Sequence, residues 1–155
     1  MKFIAKSDIG KKRDNNEDYY FASDNENFPL FIIADGIGGH NSGEVASKMT
    51  VESISSSLKA INEYNSLEDL EKDFVKAISD ANRLVFNKAK ENPEMLNMGS
   101  TLTVLYKFEN SVLIGNVGDS RAYSITSTEI RQLTEDDTLV NSLYKLGKIT
   151  KDEAI

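Results

Sequence analysis

The sequence contains no cysteine, no tryptophan, a single histidine and only two prolines in 155 residues. Without cysteine there can be no disulfide, no thiolate metal site and no cysteine nucleophile. With His40 as the lone imidazole, Ser-His-Asp chemistry is all but removed as well. What remains for catalysis is oxygen: carboxylates, hydroxyls and whatever metal they hold. No segment approaches the ~18 consecutive apolar residues of a membrane-spanning helix, and the N-terminus lacks the apolar core of a signal peptide. The expectation is a soluble, cytoplasmic protein. An excess of basic residues is missing too. With 25 acidic and 18 basic side chains the formal charge is -7, which disfavours nucleic acid and anionic membrane as partners.

What is present is an ordinary globular composition. The apolar share is 39% and rises to roughly 45% with glycine, the usual level for a packed domain. The length fits one domain, residues 1–155, with a core of normal size. Phe3, Ala5 and Ile9 alternate with polar neighbours and predict a half-buried strand. Asp18 to Ser23, with Tyr19, Tyr20 and Phe21, also reads as a strand. Leu30 to Ala34 (LFIIA) is a short continuous apolar run, as expected of a strand covered on both faces.

Two helices follow. Asn41 with Glu44 three residues later predicts a capped start, and Ala46, Met49, Ser53, Ile54, Ser57, Leu58 and Ile61 form its stripe. The second opens with Ser66 as cap and runs through Leu67, Leu70, Phe74, Ala77, Ile78, Ala81, Leu84, Val85 and Ala89 at a 3.6-residue period. Pro93 ends it. Beyond Gly99 the period becomes two: Thr101–Phe108 and Ser111–Val117 predict a hairpin turning at Glu109-Asn110. Arg121–Thr126 and Glu129–Leu133 predict a second tight pair. Thr138 to Leu146 predicts a short helix closed by Gly147. Strands grouped on either side of a helical block favour an α+β fold with an antiparallel sheet or sandwich, helices packed on its faces.

Four islands could carry chemistry. Arg13 with Glu17 and Asp18 sets one guanidinium before two carboxylates as a strand begins. That arrangement could be a solvated loop, or an arginine free to fork onto phosphate beside carboxylates that hold a hard cation. Asp35, directly after the apolar strand, precedes Gly36-Ile37-Gly38-Gly39-His40. A carboxylate closing a buried strand is costly unless paired or metal-bound, and the glycine after it lets a backbone carbonyl approach a ligand. The dinucleotide pattern G-x-G-x-x-G is broken at Asn41, and no Gly-Lys-Ser/Thr follows for a P-loop. Gly99-Ser100-Thr101 is a small-residue turn entering a strand. In Gly118-Asp119-Ser120-Arg121 the aspartate either caps its turn or ligates a metal. Oxygen donors without sulfur select magnesium, manganese or calcium over zinc or copper. Such cations with an activated water are suited to phosphate-ester hydrolysis.

In this order the islands resemble the metal-dependent protein phosphatase family (type 2C, PPM) in its compact bacterial form. The matching segments are RDNNED at 13–18, ADGIGGHNSGEVAS at 34–47, MGSTLTVL at 98–105, GNVGDSRAY at 115–123 and LT-x-D at 133–136. The resemblance implies an antiparallel β-sandwich flanked by helices, and hydrolysis of phosphoserine or phosphothreonine in proteins by a metal-activated water. It implies two Mn²⁺ or Mg²⁺ ions, with a third, weaker one in bacterial members. Asp35 would bridge the pair, the Gly36 carbonyl would ligate one ion, and Glu17 and Asp18 would support the cluster directly or through water. Arg13 would bind the substrate phosphate, Asp119 would serve the third metal, and His40 and Thr101 would support the ligands from behind. The implied partners are phosphoproteins, substrates of a Ser/Thr kinase.

Departures from the family pattern are visible. Asp137 and Thr138 stand where the family has His and Ser, and Ile37 replaces a histidine used by animal members. The chain ends before the mobile flap and before two further metal-binding aspartates, so the sandwich is expected to be incomplete at its C-terminal side. A catalytically impaired relative, acting as a binding or regulatory module, is the alternative reading. A nucleotide-binding α/β domain would need strand–helix alternation that the second half does not show.

Overall fold

Side-chain alternation organises the sheet. In the computed structural model, which describes residues 2–23, 25, 28–38, 42–61, 64–150 and 152–154, β1 (Asp18–Ala22) pairs antiparallel with β2 (Leu30–Ile37). On its other side β2 meets β3 (Gly99–Ser100) and β4 (Leu102–Phe108), and β4 turns at Glu109 into β5 (Ser111–Val117). The resulting order is β1-β2-β4-β5, with β3 beside the end of β2. Leu30, Ile32 and Ala34 of β2 are fully buried, as are Leu102 and Val104 of β4. Their neighbours Ile33 and Ile37 point to the opposite face and are 58% and 59% exposed. The LFIIA run therefore differs from the expectation of a strand covered on both faces. Its odd and even positions face different surroundings, and the pleat divides them.

Helices cover the inner face. α1 (Ser42–Lys59) buries Ser47, Val51, Ile54 and Leu58, a three- and four-residue spacing that makes one stripe, with Ala46 buried beside it. Ile61 lies beyond its end, and the expected cap Asn41 lies outside the described residues. α2 (Leu67–Glu91) starts as expected, with the Ser66 hydroxyl accepting the Asp69 N–H at 3.1 Å. It buries Leu70, Phe74, Ala77, Ala81, Val85 and Ala89. Leu67 and Leu84, expected in the stripe, are largely exposed. The alanines let α2 sit close to its neighbours, so the buried stripe is narrower than the apolar one. Edge-to-face contacts of Tyr106 with Phe28, Tyr64 and Phe74, at centroid distances of 6.1, 5.6 and 6.5 Å, close the wide end of this core.

Pro93 opens a short 3₁₀ turn to Met95 that leads to β3. After β5 comes the predicted small hairpin, β6 (Tyr123–Ile125) with β7 (Ile130–Gln132). α3 (Leu139–Lys145) follows, capped by the Thr138 hydroxyl on the Asn141 N–H and closed at Gly147 with φ 66°. Residues 2–9 do not form the strand their alternation predicts. The Phe3 ring instead stands edge-on to Phe31 at 5.5 Å, over the outer face of the sheet. A segment lying on a face rather than beside an edge has no ladder to join. The fold is thus α+β with an antiparallel sheet. Of the expected sandwich, the described residues form one five-stranded sheet with two helices packed on it, plus the β6–β7 pair.

The inner stripe gives a direct test. Leu58→Ala should cost about 3 kcal/mol in urea unfolding, whereas Val75→Ala, on the solvent side of α2 and 64% exposed, should stay within about 0.5 kcal/mol.

Candidate metal centre

Strand register brings the first two acids together. β1 and β2 pair so that Asp18 stands directly opposite Asp35, and the pleat turns both away from the helices. Like charges facing each other across a ladder are destabilising on their own. Asp119, in the turn after β5, brings a third negative charge to bear on Asp35, and Arg13, from the loop before β1, brings a positive one. The Asp35 carboxyl consequently titrates above the usual aspartate range. Partial burial is the largest cause and the Asp18 charge the next, with Arg13 pulling the other way and Asp119 adding a further upward push. Among the described residues Arg13 itself makes no salt bridge, and its side chain is exposed.

The backbone beneath Asp35 is held from both directions. Its carbonyl accepts the Thr101 N–H at 2.9 Å and the Ser100 hydroxyl at 3.2 Å. Its N–H donates to the Thr101 hydroxyl at 3.0 Å. Thr101 thereby takes with its side chain a bond that a regular ladder would make with a carbonyl. The same hydroxyl lies 2.8 Å from Ser120 Oγ, in the turn that carries Asp119. Thr101 ties two acid-bearing segments together.

One residue further on, the chain passes unusually close to α1. A Cβ on Gly36 would collide with the Gly43 carbonyl, and a Cβ on Gly43 would stand 2.6 Å from Glu17 Oε1. Only glycine at both positions permits this approach. The Gly36 N–H donates to the Glu17 carbonyl at 3.0 Å, and the buried Ser47 hydroxyl donates to the same carbonyl at 2.6 Å. Glu17 is therefore a structural junction of β1, β2 and α1 as well as a candidate ligand. Its carboxylate lies against Gly43, beside Gly36 rather than among the charges that act on Asp35. His40 lies outside the described residues.

The Asp119 turn is anchored on its far side by the segment between β7 and α3. Arg121 donates from Nε and Nη2 to the two Asp136 carboxylate oxygens at 2.7 and 2.6 Å. The guanidinium keeps the Asp136 carboxyl below the usual range. The Asp137 N–H donates to the Gly118 carbonyl at 2.8 Å. Thr138, in the place of the family's serine, performs the helix cap. These contacts carried no role in the sequence analysis. Arg121 and Asp136 are fifteen residues apart across a hairpin, and only the register of β6 with β7 brings them into reach. The hint available was the hydroxyl and arginine immediately flanking Asp119. Ser47 was equally silent, a buried hydroxyl inside a helix whose partner belongs to another strand.

Among the described residues, no group of three or more His, Cys, Asp or Glu side chains stands close enough together to hold a metal ion. The donor set nevertheless fits a hard divalent cation. The side chains whose negative charge bears on Asp35 are carboxylates, Asp18 and Asp119, a backbone carbonyl follows at Gly36, and the repulsion felt by Asp35 is what such a cation relieves.

Comparison with known proteins bears on this opening. Residues 9–150 match the family model described as protein phosphatase 2C. The chain is 37% identical over 151 residues to the serine/threonine phosphatase stp of Listeria welshimeri, covering 97% of this chain and 60% of that protein. It is 34% identical over 154 residues to the serine/threonine protein phosphatase PstP of Mycobacterium tuberculosis, covering 99% of this chain and 28% of that protein. Among solved structures, Stp1 from Staphylococcus aureus superposes with a TM-score of 0.82 at 41% identity, over 94% of this chain and 57% of that one. The catalytic domain of PstP in complex with two manganese ions superposes with a TM-score of 0.75 at 34% identity, over 96% of this chain and 61% of that one. The chain thus spans about 60% of the length of the Listeria protein.

The charge arrangement predicts a pH signature in metal-free protein. A carboxyl whose folded pKa is raised binds its proton more tightly in the native state, so wild-type stability falls as pH rises from about 3.9, the ordinary aspartate value, through that higher folded value. Asp35→Asn removes the effect. In EDTA the variant should melt above wild type at neutral pH, and the gap should close as pH falls below the ordinary aspartate range. A gap that is independent of pH in thermal scans would contradict the assignment.

Proposed function

The chain belongs to the protein phosphatase 2C family, and on that premise we propose that its domain hydrolyses phosphoserine and phosphothreonine in proteins with divalent cations as cofactor. The observation that carries this reading is Asp35, which stands opposite Asp18 across the β1–β2 ladder and feels the charges of Asp119 and of Arg13, an arginine with no salt bridge among the described residues. Bound Mn²⁺ or Mg²⁺ would supply a nucleophilic water at neutral pH and offset the charge of the phosphate. The chain's own residues do the rest. Asp35 would hold the cations with its carboxylate, and Gly36 would offer its carbonyl from the adjacent peptide. Asp18 adds charge beside Asp35, Glu17 adds it next to Gly36, and Asp119 would serve a third ion. Thr101 fixes the backbone of Asp35 from both sides, so its carboxylate is placed before any ligand arrives.

Arg13 faces the substrate. Its planar fork matches two phosphate oxygens, and its lack of a salt bridge among the described residues leaves the fork available. Recognition through phosphate alone suits a broad class of phosphoproteins, those made by Ser/Thr kinases, with the cytoplasm as the place of action. Among the described residues no helix is long and apolar enough to cross a membrane.

Two substitutions test the assignment on the phosphopeptide reaction of the full protein with Mn²⁺. Asp35→Asn should lower kcat by at least about a hundredfold, the scale of losing cation-based charge stabilisation. Arg13→Ala should raise KM by about tenfold or more, the scale of a lost charge-assisted hydrogen-bond pair. Intact turnover in Asp35→Asn, or an unchanged KM in Arg13→Ala, would refute the corresponding role.

A further inference from the structure

We propose that Arg121 is a positioning residue for the metal centre: its forked ion pair with Asp136 holds the Gly118–Ser120 turn so that Asp119 faces Asp35. The inference rests on reading this opening as a metal site and adds to it a residue that touches neither metal nor substrate.

Asp119 is exposed and sits in a turn outside any helix or strand, so its carboxylate goes where the ends of the turn are gripped. On one side the turn leans on Thr101. Gly118 has φ 91°, and a Cβ there would stand 2.9 Å from Thr101 Cγ2. On the other side the grip comes from residues 134–138. The Arg121–Asp136 fork supplies two bonds at 2.7 and 2.6 Å, the Asp137 N–H reaches the Gly118 carbonyl, and the Ala122 N–H reaches the Thr134 hydroxyl at 3.0 Å. Asn116 Nδ2 bridges the Gly118 and Glu135 carbonyls at 3.2 and 3.4 Å. The anchor is itself fixed, because the Asp136 carbonyl accepts Asn141 Nδ2 at 2.6 Å from α3. Of these grips, only the fork fixes both distance and plane, since a guanidinium facing a carboxylate has one favoured geometry.

Two other roles for Arg121 fit the geometry less well. A phosphate-binding role conflicts with the engagement of Nε and Nη2 by Asp136, while Nη1 lies 3.4 Å from the Tyr123 hydroxyl. A role in global stability conflicts with exposure: the two side chains are 46% and 23% accessible, and partly exposed ion pairs contribute little to folding. What a clamp of this kind controls is direction, in the manner of groups that orient metal ligands from behind.

The experiment is a Mg²⁺ titration of the full protein followed by backbone amide shifts in ¹⁵N spectra, with thermal melting in parallel. In wild type the Asp35 and Asp119 amides should both shift. In Arg121→Ala, the half-maximal shift at Asp119 should need about tenfold more Mg²⁺, while Asp35 responds nearly as before and the melting temperature moves little. Arg121→Lys keeps the charge but loses the fork, so it should behave like the alanine variant. It also serves should Arg121→Ala fold poorly. In an Asp119→Ala background, Arg121→Ala should cause no further loss of Mg²⁺ response at the turn. An Asp119 response unchanged in both Arg121 variants, with Asp35 responding normally, overturns this inference alone. Silence at both amides in wild type overturns the metal-centre reading and this inference with it.

Discussion

Two carboxylates that antiparallel pairing forces to face each other, Asp18 and Asp35, govern what this domain can do. A ladder tolerates such a pair poorly unless something positive arrives between or beside the two charges. Arg13 meets part of that need, and Asp119 increases it by adding a further negative charge. The fold thus keeps a concentration of negative charge at one end of its sheet while the opposite side of the same strand builds the core. The arrangement makes sense as preorganisation. On the proposed reading the donors would be gathered before a cation binds, and the cost of gathering them would be met by packing elsewhere in the molecule.

The packing that meets it lies only a residue away. Ala34 and Gly36 face inward between Asp35 and the helices, and the Gly36–Gly43 approach draws the start of α1 against the end of β2. Glu17 locks that approach through its carbonyl, which receives both the Gly36 N–H and the Ser47 hydroxyl. Site and core are therefore mechanically continuous. Thr101 plays the matching part on the other flank, joining Asp35 to the turn that carries Asp119.

Local features were legible from the residues alone. Ser66 and Thr138 cap their helices through contacts three residues away, and Gly147 closes one with a backbone angle that favours glycine. Asp35 stands out because a carboxylate that closes an apolar strand is costly unless it is paired or bound, whereas Asp119 could equally cap its turn. What stayed hidden depends on register. Nothing in the order of residues says that Asp18 falls opposite Asp35 rather than its neighbour, and nothing pairs Arg121 with Asp136 until β6 meets β7. Alternation misleads in two places. Phe3, Ala5 and Ile9 look like a strand because any half-covered extended segment alternates. LFIIA looks covered on both sides because an apolar run does not report which of its faces has a neighbour. His40 and Asn41 lie outside the described residues, so their expected parts stay as expectations.

The pleat of β2 has an evolutionary consequence. Leu30, Ile32 and Ala34 answer to folding, and Asp35, the proposed metal ligand, lies on the other side of the pleat, so the four occupy one strand without sharing a face. A lineage can therefore exchange that acid for a neutral residue without disturbing the scaffold. Descendants that have abandoned turnover can persist as folded carriers of the same surface, and resemblance in shape will outlast resemblance in activity.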